Sequence, residues 1–364
     1  MTARAFWMRT LRLTAGAALA MMLVALGTAH AGAERAGTTA ADFLSLGTGA
    51  RALAMGGATL GLGDDLGAAG WNPAAVGWLD GYQAVLAHAA LADRSNQEWG
   101  AIGGRIKSSR TRWAATGLYQ GDGSFDGRDA SGNPTGSFSV SSMALGAMVS
   151  QALGEYVTVG LGAKWVNERI ASASGSGMTF DGGLQVRAGK LGVGVAAQNV
   201  GGRMAYAGSS YPFPASYGAG IAFIDPATGL RLALDANLPS TYHPDLRLGA
   251  EWTYHNALAL RAGYRREMAQ AADPLNGPTF GLGARAGTLW IDYGYLLPQD
   301  QSGQHRMGMR FQFGAPHAPT AAAAPTKAAP QAKAAPAQAK PEKKSKSDAF
   351  DWARDGNSAK PGKP

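Results

Sequence analysis

The chain contains no cysteine. Disulfides, thiolate metal sites and thiol catalysis are therefore excluded. Beyond the first 31 residues it also lacks any run of about 18 apolar residues, so no membrane-spanning helix is expected. Histidine is scarce: the six at 30, 88, 243, 255, 305 and 317 show no metal-ligand spacing. No Gly-x-Ser-x-Gly turn accompanies them. The string Gly192-Val193-Gly194 lies inside an alternating segment with no helix after it, which excludes a phosphate loop. Asp64 and Asp65 are adjacent, without the spaced oxygen ligands of a calcium loop. No catalytic residue, cofactor or metal is expected, and the chain does not read as an enzyme.

The charge balance excludes another class. The net charge of +8 looks like that of a nucleic-acid binder. Yet Arg4, Arg9 and Arg12 stand at the N-terminus, and residues 315–364 hold nine basic against four acidic residues. The body between them is neutral, with 21 of each sign. The folded part offers nucleic acid no basic surface.

The ends read differently from the body. Three arginines, an apolar stretch from Leu13 to Leu26 and the small residues around Ala29-His30-Ala31 have the order of a secretory signal, assigned to 1–31. No Cys follows that would take a lipid anchor. Residues 315–364 are Ala, Pro and Lys with little that could be buried, so a disordered periplasmic tail is expected there. Its aromatic island, Phe350-Asp351-Trp352, is a possible docking motif for a periplasmic partner.

Between these ends, apolar and polar residues alternate with period two. Leu246, Leu248, Ala250 and Trp252 alternate with Arg247, Gly249, Glu251 and Thr253; Met307, Met309, Phe311 and Phe313 alternate with Arg306, Gly308, Arg310 and Gln312. One apolar and one charge-bearing face is the pattern of a strand with lipid outside and water inside. Fourteen such strands are predicted, near 82–92, 96–106, 111–120, 137–150, 156–169, 176–187, 190–200, 214–223, 229–238, 244–254, 257–266, 278–287, 288–297 and 303–313. Most have the roughly 9–11 residues that a tilted transmembrane strand needs. Long connections at 121–136, 201–213 and 267–277 alternate with tight ones such as 107–110 and 188–189. The expected fold is an all-β, fourteen-stranded antiparallel transmembrane barrel over 82–314 in a bacterial outer membrane, in contact with its lipid. An even strand count puts both barrel ends, and by extension both termini, in the periplasm.

Residues 43–81, within an N-terminal segment 32–81, do not read as strand. They include Gly47-x-Gly49-Ala50-Arg51-Ala52-x-x-Met55-Gly56-Gly57-Ala58, then Asp64-Asp65, then Trp71-Asn72-Pro73-Ala74. Further on come Lys164-Trp165-Val166-Asn167-Glu168-Arg169, Thr179-Phe180-Asp181-Gly182-Gly183-Leu184, Gln198-Asn199-Val200-Gly201 and Leu260-Arg261-Ala262-Gly263-Tyr264. This ordered series resembles the PorV/PorQ family of the FadL-like superfamily, from about residue 42 to 313. The resemblance implies that the N-terminal segment folds into the lumen as a hatch. It also implies a role in type IX secretion, as a barrel that binds the C-terminal domains of exported proteins at the mouth formed by the long loops. The alternative is passive transport of hydrophobic small molecules, as in FadL itself.

The strand register assigns inward charges. The positive ones are Lys164, Arg187, Arg231, Arg247, Arg261, Arg265, Arg285, Arg306 and Arg310; the negative ones are Asp181, Asp235, Glu251 and Asp292. Two readings of the positive excess are open. It forms an ion-pair network that seals the tube around its hatch, or it guides anions, as rings of Arg do in pores. Asp64 and Asp65 are expected to contact lumen arginines in either case.

Overall fold

A computed structural model describes residues 37–63, 65–107, 109–206, 208–268, 276–297 and 303–314. The predicted signal, the tail and Asp64 lie outside them. The strands are β1 (Tyr82–Ala90), β2 (Asn96–Arg105), β3 (Thr111–Arg128), β4 (Pro134–Leu153), β5 (Val157–Ile170), β6 (Ala173–Ala188), β7 (Leu191–Val200), β8 (Arg203–Tyr206), β9 (Ser209–Pro212), β10 (Ser216–Asp225), β11 (Leu230–Pro239), β12 (Asp245–Tyr254), β13 (Leu258–Glu267), β14 (Gly277–Ala286), β15 (Leu289–Leu296) and β16 (Gln304–Phe313). Fourteen of them close a ring of antiparallel neighbours, in which β7 pairs with β10 and β6 with β5. The seam joins the first and last strands, from Tyr82 opposite Phe313 to Ala90 opposite His305. Closure satisfies the edge N–H and C=O groups that hydrocarbon would otherwise leave unpaired at several kcal/mol each. No helix among the described residues is long and apolar enough to cross a membrane.

Alternation places the side chains as the sequence reading required. On β12, Asp245, Arg247, Gly249 and Glu251 are buried inward, whereas Leu248 and Trp252 point out. The outer wall carries Leu86, Leu145, Leu161, Leu260, Phe280 and Met307, each at least half exposed. In water such a surface would be a liability; in hydrocarbon it is the solvated face. The turn between β12 and β13 shows how tight the short connections are. His255 and Asn256 both take positive φ (48° and 52°), the geometry that twists two strands into a hairpin.

The long-loop end differs from the expectation at two places. Residues 121–136 are not a loop: β3 and β4 continue as a ribbon that closes in a five-residue turn at 129–133. Asp129 builds that turn by accepting the backbone N–H groups of Ser131 and Asn133, each at 2.9 Å. Within 201–213 the chain forms the β8–β9 hairpin, which pairs with the start of β6 and lies outside the ring of fourteen. Neither stretch shows the sustained apolar–polar alternation that marked the other strands.

The segment before β1 fills the lumen. It begins at the long-loop end, where the Ala40 N–H donates to the Pro212 carbonyl (3.0 Å) and the Ala41 N–H to Glu168 (3.1 Å). It descends through α1 (Ala50–Ala54) and two 3₁₀ turns, Leu66–Gly70 and Pro73–Trp78, and leaves through Gly81 at positive φ into β1. Tyr82 and Phe313 share the short-turn end, as an even strand count requires, and the first described residues lie at the opposite mouth.

Candidate functional site: the plugged lumen

The hatch passes close to the wall because the wall lacks side chains where it passes. Gly249, Gly263, Gly281 and Gly294 lie inward on four successive strands, β12 to β15. A Cβ on Gly263 would sit 2.3 Å from the Gly56 nitrogen, and one on Gly281 would sit 2.3 Å from the Ala54 Cβ. Met55 packs onto Gly249 and is fully buried. Gly56 has φ +65° and donates its N–H to Thr279 Oγ1 at 3.0 Å, so that position excludes a side chain both by conformation and by space. Its neighbour Gly57, at φ +82°, lies against Arg247 and Trp71.

The remaining motif residues hold the lower part of the hatch. Asn72 is fully buried; its Oδ1 caps the second 3₁₀ turn by accepting the Ala74 N–H (2.9 Å), with Pro73 at the first helical position. Its Nδ2 donates to the Val195 carbonyl on β7 at 3.2 Å. The Trp71 indole N–H donates to the Thr48 carbonyl at 3.1 Å, tying the descending and returning legs together.

Charged wall residues divide into two groups. The first is an ion-pair network around Arg51. Its Nε and Nη2 donate to Glu251 (2.7 and 2.9 Å) and its Nη1 to Asp65 (2.6 Å). Glu251 also accepts from Arg261 (2.6 Å) and pairs with Arg231 (3.2 Å); Arg261 reaches on to Asp292 (2.8 Å). Arg310 closes the circuit on Asp65 and lies over the Trp290 ring. Asp65 thus meets Arg51 and Arg310 as expected, and Asp64 lies outside the described residues.

The second group holds the hatch by its backbone. Arg306, 2% exposed, donates to the Leu46 and Gly47 carbonyls at 2.8 and 3.0 Å. Asp235 accepts the Thr59 and Leu60 N–H groups at 2.6 and 2.8 Å. Arg187 donates to the Leu62 and Gly63 carbonyls. Part of the positive excess is therefore met by hatch carbonyls rather than by carboxylates. A pair and a triad stand apart: Lys164 with Asp181 (2.9 Å), and Arg247 with Arg265 on the fully buried Asp245 (2.5 and 3.2 Å).

One assigned residue falls outside this arrangement. Arg285 lies at the last turn of the wall, donating to the Gly287 carbonyl at 2.9 Å, because β14 ends one residue later. Among the inward residues missed are Glu168, which accepts the Ala41 N–H, and two others. Asp245 has the same parity as Arg247 and Glu251 but opens its strand, and Arg112 donates to the Leu79 carbonyl at 3.0 Å.

The other half of the lumen is mainly apolar, although Gln83 accepts the Leu66 N–H (3.0 Å) and Ser150 donates to the Ala74 carbonyl (3.3 Å). Val85, Trp99, Ala114, Leu118, Ala144 and Met148 point inward from β1 to β4 and pack with Leu66 and Val76 of the hatch. The same cluster continues through Phe43, Met204 and Phe213 at the long-loop end to Leu79 at the other. Between the two halves lies a cavity of about 80 Å³, with Trp99, Leu118 and Met148 on one side and Lys164, Gln198 and Ser216 on the other. Among the described residues no cluster could hold a metal ion.

Such a ring, closed by an N-terminal hatch, defines a class of fourteen-stranded transmembrane barrel. No family model matches the chain, and no curated protein does. The PorV/PorQ resemblance therefore rests on its motif residues alone. Solved structures with the FadL-like fold do match. The Ralstonia pickettii toluene transporter TbuX superposes with TM-score 0.54 at 15% identity, covering 74% of this chain and 99% of its own. The monoaromatic hydrocarbon channel CymD gives 0.52 at 15% identity (75% and 99%). A Pseudomonas aeruginosa FadL homologue gives 0.52 at 11% identity (73% and 98%). At these identities the likeness is one of fold.

Proposed function

We propose that this chain is a non-enzymatic outer-membrane barrel that passes hydrophobic small molecules, with its short-turn end in the periplasm. The observation that carries this reading is the continuous apolar seam between hatch and wall, from Phe213 to Leu79. A water-filled pore has a polar interior; an apolar seam between a removable plug and the wall suits a solute that water would reject. The seam is packed, so passage requires hatch side chains along it to shift. Arg51, Asp235 and Arg306 then act as anchors that keep the hatch seated, and the ion-pair network seals the tube rather than guiding anions.

The fold neighbours favour this reading over protein secretion, since they are a toluene transporter and a hydrocarbon channel by description. The loops offered as a cargo mouth also contribute less than expected, because 121–136 is mostly strand and 201–213 mostly hairpin. The test is uptake of a labelled monoaromatic hydrocarbon by cells expressing the parent or Leu118→Lys. A folded variant is expected to lose most uptake, and equal uptake by both would refute the apolar route.

A further inference from the structure

The short connections at the end where β1 begins are not alike. Five of them place the left-handed backbone position on residues that take it readily: Gly154, Gly189, Gly229 and Gly287, and His255 with Asn256. The connection between β2 and β3 puts Lys107 there instead, at φ +47°. A long side chain in that conformation carries backbone strain, which persists where the surroundings impose it and the residue has another use. Hydrogen bonds impose it here. The Ser109 N–H and hydroxyl both donate to the Ile106 carbonyl (3.0 and 2.6 Å), and the Ile106 N–H donates to the Thr111 carbonyl (3.1 Å).

The same turn gathers charge of one sign. Residues 105–112 contain Arg105, Lys107, Arg110 and Arg112 and no acid. Arg105 stands directly opposite Arg112, a like-charge cross-strand pair of the kind that destabilises a ladder. Arg112 turns inward to the Leu79 carbonyl. Lys107 and Arg110 are exposed, and among the described residues their side chains have no ion pair or hydrogen bond. The acids on the adjoining segments are Asp80 and Glu155, so four cations face two anions.

Position says what kind of anion these charges meet. Beside them the outer face is apolar: Ile106, Tyr82 and Leu153 are 44%, 40% and 54% exposed. The Tyr82 ring stacks on Phe313 and lies over Gly104, two residues before Ile106. Exposed apolar side chains with aromatics mark the edge of the hydrocarbon band. Lys107 follows Ile106 directly, so the cations stand at head-group height rather than out in bulk water. A soluble acidic partner would gain nothing from the apolar border. A lipid uses both, with its chains against Ile106 and Leu153 and its phosphate on Lys107 and Arg110.

We infer that the β2–β3 turn is a binding site for the head group of an anionic phospholipid in the membrane leaflet at the short-turn end. The test is native mass spectrometry of the full-length protein in detergent with equimolar phosphatidylglycerol and phosphatidylcholine of matched chains, reading the ratio of the two one-lipid adducts. The parent is expected to retain phosphatidylglycerol in excess. A basic side chain near an anionic lipid surface is worth about a fivefold preference, so Lys107→Gly and Arg110→Gln should each lower the ratio by about that factor. Lys107→Gly also relieves the turn, so its effect is not that of a damaged backbone. Arg128→Gln removes an equal charge at the far mouth and should keep the parent ratio; the basic tail is present in every variant. Equal retention of the two lipids by the parent, or a parent ratio in either turn variant, overturns the inference. An equal drop in Arg128→Gln also overturns it, by reducing the preference to net charge. None of these outcomes bears on the transport reading.

Discussion

The two halves of the lumen are built from the same strands and hold the same hatch, yet by opposite means. From β11 to β16 the wall grips with charge, through Glu251, Arg261, Arg306 and Asp235, and with glycines that bring backbone against backbone. From β1 to β4 contact is mainly apolar, through Trp99, Leu118, Ala144 and Met148, with Gln83, Arg112 and Ser150 adding hydrogen bonds to the hatch backbone. Charged contacts in a dry interior are directional and costly to break, because the partner left behind is uncompensated. Apolar contacts are non-directional, so side chains can slide without leaving a group unsatisfied. A plug held by charge along one side and mainly by apolar contact along the other gives way more readily on the second.

The largest expected effect comes from the charged side. Glu251→Ala leaves Arg51, Arg231 and Arg261 without their shared carboxylate, and a loss of about 3–5 kcal/mol is expected. The urea midpoint in detergent should drop, and ion conductance in planar bilayers should rise as water enters around a loosened hatch. Unchanged conductance would mean that this half does not seat the hatch.

Met148→Ala makes the complementary defect in the apolar half, with about 2–5 kcal/mol expected. Here conductance should stay at the parent level, since the charged anchors of the hatch remain in place. A leak as large as that of Glu251→Ala would erase the distinction between the halves.

How much of this was legible in the sequence depends on what marked it. The barrel was readable because lipid outside and charge inside impose period two on strands such as β12 and β16. The hatch anchors were half readable: Arg51 and Asp65 stood in a motif, and Glu251 and Arg306 followed from strand parity. Asp245 and Arg285 went astray because parity assigns a face and says nothing about where a strand stops. The apolar half was invisible for a different reason. Val85 beside Leu86 and Ala101 beside Ile102 are apolar on both faces, so alternation cannot tell the lumen from the membrane. The glycine track could not be read at all, because its meaning depends on where the hatch runs.

Steric change on the charged side should have a middling effect. In Gly281→Val the new Cβ meets the Ala54 Cβ, and overpacking of about 1–3 kcal/mol is expected. Limited proteolysis should then cut within 50–57 sooner than in the parent; identical protection would show that the approach is not tight.

The smallest effect belongs outside both halves, in the 129–133 turn. The side-chain amide and backbone N–H of Asn133 hold the Asp129 carboxyl below the usual carboxylate range. Its contribution is therefore present above the ordinary aspartate pKa and is lost as pH falls through the lowered value. Asp129→Ala should leave the urea midpoint and conductance unchanged at neutral pH while loosening the exposed turn, seen as faster amide exchange at Ser131 and Asn133. Exchange at parent rates would show that the carboxylate does not organise the turn.

The route of the hatch gives the molecule a mechanical polarity. Its covalent tether is at Gly81, beside the short turns, and its first described contacts, at Ala40 and Ala41, are at the far mouth. The β1–β16 seam completes a ring that surrounds this threaded segment. Drawn from the tether side, the hatch must pull residues 37–44 back down the full height of the lumen. Pushed toward the far mouth, it is stopped by its own attachment to Tyr82. A force from the short-turn side can unthread it; a force from the other side only tightens the tether.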